Sequence, residues 1–306
     1  MRKNNQIFIH ISAISACLLW ATAFAGIKAG LKYASPLDFA GLRFILAGLM
    51  LLPFCGGLSS SFKSIMSNYK TILSLSLFQT ILLYGSFFWG MELVPGALGA
   101  IVVGSTPLIT AITAHFLMPD DKLNPQKMTF ILFGLLGIVI ISISRHPLTS
   151  AGLKELGGIG LLIFGNIASA IGNVIVAKDK KVENPVLLNS VQMLIGGIFL
   201  LFISIPFEGL PEFIFPLPFY LILLWLSFIS ALAFSIWFFL LKKTTIRVSG
   251  LNMWKFIIPV FGAMLSWILI SSEKPDIYQM LGMVFVAISI FLFFVNKTKN
   301  DKIFNF

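Results

Sequence analysis

Runs of mostly apolar residues, separated by short polar connections, recur from one end of the chain to the other. Each run is long enough to cross a bilayer as a helix. The pattern predicts spans over residues 7–29, 38–55, 71–92, 95–118, 127–144, 156–177, 187–206, 219–241, 249–270 and 276–295. The connections carry turn chemistry, such as CGGLSSS after the second run and PDDKLNP after the fourth. None is long enough to separate soluble domains. The expected fold is an all-α integral membrane protein of ten transmembrane helices.

Two runs break the uniformity. In Ser249–Glu273, Pro259 removes one backbone donor, and its ring crowds the carbonyl four residues earlier. That carbonyl belongs to Lys255, the one charge inside the run, so a charge and a freed carbonyl fall at one level. Ser105–Asp121 has the same layout without the lysine: Pro107 precedes Asp121 by 14 residues, as Pro259 precedes Glu273.

Basic residues then orient the chain. Of 22 Lys and Arg, Lys28, Arg43 and Lys255 fall within spans. With the N-terminus inside, the outer connections hold four, Lys32, Arg145, Lys154 and Lys274, against fifteen on the inner side. The bias places both termini in the cytoplasm and the protein in the plasma membrane. An even number of spans agrees.

Composition narrows the class. The chain is 58% hydrophobic and 11% charged, with mean hydropathy +0.95, against about 25% charged in soluble domains. A net charge of +10 invites a nucleic-acid reading. The basic residues form no single patch, and nucleic acid is set aside. Cys17 and Cys55 lie in apolar runs and supply neither a disulfide framework nor a metal motif. The start, MRKNNQ before an apolar run, lacks a small-residue cleavage site and is read as the first span.

The chain repeats itself. At an offset of 152, Phe87, Pro107, Lys122 and Phe133 meet Phe239, Pro259, Lys274 and Phe285, and Asp121 meets Glu273. At 149, Pro36 and Gly48 meet Pro185 and Gly197. Two five-helix units are expected, over 1–147 and 152–306. Five is odd, so the second enters the membrane inverted, an arrangement used by secondary transporters with the substrate where the copies meet.

The segments LLWATAFAGIKAG, SPLDFAGLRFILAGLML, STPLITAITAHFLMPDDKLN and PVFGAMLSWILISSEKPD resemble the EamA family of the drug/metabolite transporter superfamily. The matching features, in order, are Trp20–Phe24, Pro36 with Arg43, Pro107 with Asp121, and Pro259 with Glu273. Asp121 stands where the family usually has glutamate, and Gln192 occupies the repeat position of Arg43. The resemblance covers nearly the whole chain. It implies a ten-helix carrier, commonly an exporter of amino acids or other small metabolites, with a central cavity lined by spans 1, 3, 4, 6, 8 and 9.

Lys255 lies about 9 Å along span nine, at 1.5 Å per residue. It is either a cationic contact for a carboxylate or a lysine whose stem snorkels to the interface. Arg43 is a candidate substrate contact, or a structural charge paired with Glu92 at the end of span three. Asp121 and Glu273 read as gates or as caps for the next helix, and the capping role is favoured. Pro107 and Pro259 are expected kinks. Trp20, Tyr84, Trp89 and Trp237 are aromatic candidates for the cavity wall, joined by Thr22, Asn173 and Asn252. Gln79, Asn166 and Gln192 are further polar groups that each need a partner. Asn252 and Lys255, three apart, share a helix face.

The leading expectation is a secondary transporter working by alternating access. An intramembrane enzyme would need acid or ligand clusters, and the spans carry no HExxH, paired aspartates or nucleophile motif. Neither cofactor nor metal is expected. A channel would show rings of filter residues. Proton coupling through His115, or exchange with a counter-solute, fits the residues present; oligomeric state is unassigned.

Overall fold

The computed structural model describes residues 3–56, 58–94, 99, 102–145, 152–179, 184–210, 214–243, 247–269 and 276–295. Among the described residues every regular element is helical. In a bilayer core each backbone N–H and C=O must be satisfied within the chain, and helices do this locally. The elements are α1 (Lys3–Gly30), α2 (Pro36–Leu51), α3 (Leu58–Ser67) and α4 (Tyr69–Leu75). A π-helical turn (Ser76–Leu82) joins α4 to α5 (Leu83–Leu93). Then come α6 (Thr106–Leu117), α7 (Pro125–Arg145), α8 (Leu153–Lys178), α9 (Pro185–Glu208) and α10 (Leu217–Lys243). α11 (Val248–Asn252) passes through a 3₁₀ turn (Met253–Phe256) into α12 (Ile257–Leu269), and α13 (Ile277–Val295) follows. Among the described residues, six stretches are long and apolar enough to cross a membrane: Pro36–Phe54, Tyr69–Leu93, Leu153–Lys178, Pro185–Glu208, Leu217–Lys242 and Ile277–Val295. Ile7–Ala23, Val102–Leu117 and Pro125–Ile140 are shorter apolar helices.

Local sequence explains the ends. Pro36 and Pro185 stand in the first turns of α2 and α9, where a missing N–H costs nothing. Asn184 caps α9, its Oδ1 accepting from the Val186 and Leu187 amides at 2.9 and 3.3 Å. α9 runs through Pro206 and stops at Gly209, whose φ of 94° suits glycine.

Helix pairs meet through small residues, α2 with α9 and α7 with α13 among them. Between α2 and α9, a Cβ on Gly197 would lie 2.7 Å from the Ile45 nitrogen and 2.9 Å from the Gly41 carbonyl. Farther along, Ser190 donates to the Gly48 carbonyl at 2.8 Å. Between α7 and α13, Phe133 and Phe285 stack at 4.6 Å. Ser289 donates to the Phe130 carbonyl at 2.6 Å, and a Cβ on Gly137 would come within 2.6 Å of the Gly282 carbonyl. In both pairs the earlier residues of one helix meet the later residues of the other, so each pair is antiparallel. Such close backbone approach is how helices gain contact where lipid offers no hydrophobic drive. Phe116, Phe202 and Phe291 are exposed on the outside of the bundle.

Three elements depart from expectation. Leu58–Ser67, read as connection, is helical; its serine-rich sequence is too short and polar for a span signal. The fourth run breaks at Ser105, so Pro107 sits in the first turn of α6 and is not a mid-helix kink. The carbonyls beside the break are taken up locally: Val103 accepts from Thr106 Oγ1 at 2.5 Å, and Val102 accepts from Ser105 Oγ at 2.6 Å and Asn166 Nδ2 at 2.7 Å. The ninth run is in three pieces. With no N–H at Pro259, the Ile257 amide turns back to the Lys255 and Trp254 carbonyls, tightening Met253–Phe256 into a 3₁₀ turn.

Candidate functional site

Lys255 stands in that 3₁₀ turn, between two helical pieces. Its ammonium lies over two indoles, 5.0 Å from the Trp237 centroid and 5.7 Å from that of Trp20. Desolvated contacts of this kind are worth about 2 kcal/mol. The indoles meet edge to face at 5.2 Å. Trp237 is 1% exposed, whereas Trp20 and Lys255 are half-buried. Both indole Nε1 donors are buried without an acceptor. Among the described residues no carboxylate pairs with Lys255. Three donors, one of them cationic, thus gather with no acceptor for any of them.

The aromatic wall continues from this cluster. Phe234 packs on Trp20 at 5.1 Å and on Tyr84 at 6.1 Å, and Tyr84 lies against Phe44 at 4.3 Å. Arg43 is 1% exposed, with its guanidinium 5.6 Å from the Tyr84 centroid and its Nε donating to Ser230 at 2.8 Å. The expected pair with Glu92 does not form. Glu92 is exposed while Arg43 is held inside the bundle by a hydroxyl and two rings.

An amide ladder runs to the segment just before Lys255. Gln79 donates to Asn173 at 3.0 Å, Asn173 to Asn252 at 3.2 Å, and Asn252 to the Val248 carbonyl at 2.9 Å. It links the π-helical turn, α8 and α11, and its Asn252 stands one turn before Lys255. π-helical turns cost regularity and recur at functional positions.

Other candidates lie elsewhere. Thr22 back-bonds within α1 to the Leu19 carbonyl at 2.8 Å. Trp89, expected in the cavity wall, packs on Phe207 at 5.2 Å, and its indole donates to Glu208 at 2.8 Å. Glu208 also accepts from the Leu37 and Asp38 amides at 3.0 and 3.4 Å. One end of α9 thereby caps the start of α2. The sequence reading passed over Glu208 because it falls in what reads as a connection; the acid just before Gly209 was the available signal.

Asp121 caps a helix, though not the one that follows it. α7 is capped by Asn124, which accepts from the Lys127 amide at 2.7 Å. Asp121, 1% exposed, instead accepts from the Ser249 amide at 2.8 Å and from the Ser249 hydroxyl. The turn after α6 thus closes onto the start of α11. The crevice beside it, lined by Ala111, Asp121, Lys122, Leu123, Lys127 and Ser249, leaves no room for a water molecule. At the same end Lys242 pairs with Asp179 at 2.6 Å, and His10 packs on Trp254 at 5.3 Å. His115 Nδ1 accepts from the Leu123 amide at 3.1 Å, which fixes its ring in the turn. Glu273, the repeat partner of Asp121, lies outside the described residues.

The chain is similar to known proteins along nearly all its length. An uncharacterized transporter of Archaeoglobus fulgidus is 25% identical over 288 residues, covering 92% of this chain and 96% of the relative. The uncharacterized transporter YoaV of Bacillus subtilis is 24% identical, covering 94% and 97%. A WAT1-related chloroplastic protein of Arabidopsis thaliana is 24% identical, covering 91% and 67%. A solved structure described as "Crystal structure of protein" shares the fold, with a TM-score of 0.78 at 18% identity, covering 94% of this chain and 96% of its own. The profile of the EamA-like transporter family matches twice, at residues 7–143 and 156–295. Matched by one profile in both its halves, the chain is a multi-pass membrane protein that belongs to the EamA-like transporter family.

Proposed function

We propose that the protein is a secondary transporter in which the carboxylate of a small metabolite binds at Lys255, between two inverted five-helix repeats, and reaches each face of the membrane in turn. The observation that carries this is the donor cluster. The Lys255 ammonium lies over two indoles whose own buried N–H donors have no acceptor, and among the described residues no acid pairs with the lysine. Buried polar groups are costly unless paired, and a carboxylate ligand supplies the missing acceptors.

Several features support the repeats, over 1–147 and 152–306. The family profile matches each half. Under the offset of 149 the contact of Gly41 with Gly197 becomes that of Ser190 with Gly48, and both occur. Under 152, Phe130 with Ser289 becomes Gly282 with Gly137, and both occur, with Phe133 and Phe285 meeting between them. Reciprocal contacts of this kind belong to a two-fold axis, and antiparallel partners set that axis across the helices, as inversion requires.

The lysine and arginine bias sets both termini in the cytoplasm. The end tied by Asp121, Lys242 and His10 is then the inner face, shut in this conformation. Export of an amino acid or related metabolite is the direction and class that the family resemblance implies. No enzymatic step is assigned.

Metabolite profiling of cells overproducing the wild type and Lys255→Met tests the reading. At equal folded yield, the wild type shifts the cellular level of an organic acid and Lys255→Met does not. An equal shift by both removes Lys255 from the site.

A further inference from the structure

The amide ladder has a direction, and the direction leaves one atom over. The Val248 carbonyl can only accept, so Asn252 turns its Nδ2 toward it. Asn252 Oδ1 must then accept from Asn173, and Asn173 Oδ1 from Gln79 Nε2. Reversing the Gln79 amide would set two oxygens against each other. Gln79 Oε1 therefore ends the ladder as a buried acceptor with no partner, on a side chain 1% exposed. Glycine holds it there: a Cβ on Gly172 would lie 2.5 Å from Gln79 Cγ and 2.8 Å from its Nε2.

We infer that Gln79 Oε1 is a second subsite, which accepts a hydrogen bond from an O–H or N–H group of the transported anion. The inference rests on the proposed carboxylate contact at Lys255. The ladder ties Gln79, in span three, through Asn173 to Asn252, one turn before that lysine, so the acceptor is joined by hydrogen bonds to the piece of span nine that carries Lys255. The ligand class is then an organic acid carrying a separate hydrogen-bond donor. An acid of the same shape without that donor leaves the buried oxygen unpaired and binds more weakly. Polar sites discriminate best in this way, by leaving the wrong ligand's partner unsatisfied.

The test is calorimetric titration of the purified protein with two acids suited to an aromatic wall, 3-phenyllactate and 3-phenylpropanoate, which differ by one hydroxyl. Wild type is expected to bind 3-phenyllactate about tenfold more tightly, the effect of one hydrogen bond. Gln79→Met removes the acceptor and binds both acids at the 3-phenylpropanoate level, and that retained binding reports an intact fold. Gly172→Ala, which displaces the same amide, erodes the preference likewise. A wild type without preference, or a preference intact in Gln79→Met, overturns the subsite while leaving Lys255 in place. Failure of both acids to bind wild type, or undiminished binding of both by Lys255→Met, overturns the anion site and the subsite with it.

Discussion

At the scale of single residues, the protein's polar chemistry lies in a few side chains enclosed by rings. Trp237 gives Lys255 both a π face and a nearby N–H donor. Trp237→Phe keeps a weaker face and loses the donor. Its melting temperature should stay close to wild type, while affinity for 3-phenyllactate falls by about three- to tenfold in calorimetry; unchanged affinity would exclude the indole N–H from the site. Asp121 satisfies the amide and hydroxyl of Ser249. Asp121→Ala leaves them buried without an acceptor, which costs about 1–3 kcal/mol. Thermal melts in detergent should drop by several degrees for Asp121→Ala and less for Asp121→Asn, which keeps one acceptor. Lys255, Asn173 and Asn252 stand out in the sequence as candidates because a polar or charged group in an apolar run advertises its cost, and Trp20 does so by its place in span one and the family pattern. The partner of Asp121 was not, because Ser249 lies 128 positions away and no local pattern joins them. Arg43 was legible as a charge within a span, but its full burial and Ser230 as its partner were not.

At the scale of elements, the helix breaks at Ser105 and at Met253–Phe256 each stand beside a proline. Pro259 forces Met253–Phe256 into the 3₁₀ turn that carries Lys255. Pro259→Ala restores the donor, and the segment can continue as regular helix. Stability should hold or rise while solute exchange in proteoliposomes slows by about tenfold or more; undiminished exchange would show that the turn is packing alone. Gly197 lets α2 and α9 approach to backbone contact. Gly197→Ala should lower stability by about 1–3 kcal/mol in thermal melts, as over-packing does elsewhere. Long apolar runs gave away most helices, because length and hydropathy decide them. The π-helical turn at Ser76–Leu82 and the break at Ser105 escaped, since both depend on partners in α8: Asn173 for the former, Asn166 for the latter. Pro107 was visible, but its place in a first turn was not, because a proline fits a kink and a helix start equally well.

At the scale of the whole molecule, the family was legible from the order and spacing of its motifs, and the same spacing is what suggests the proposed repeat. The reciprocal contacts of α2 with α9 and of α7 with α13 support the proposed repeat. Reporter fusions at residues 1 and 306 should both read cytoplasmic; opposite sides would break the inverted arrangement. The carrier reading requires the contact of Asp121 with Ser249 to open when the inner face opens. The most direct measurement is exchange in proteoliposomes. Vesicles holding unlabelled cell metabolites are placed in the same extract labelled with carbon-13, and mass spectrometry follows which labelled compounds enter. The account predicts that wild type exchanges a carboxylate-bearing metabolite and that Lys255→Met exchanges none. Exchange of cations alone, or carboxylate exchange undiminished in Lys255→Met, would contradict it.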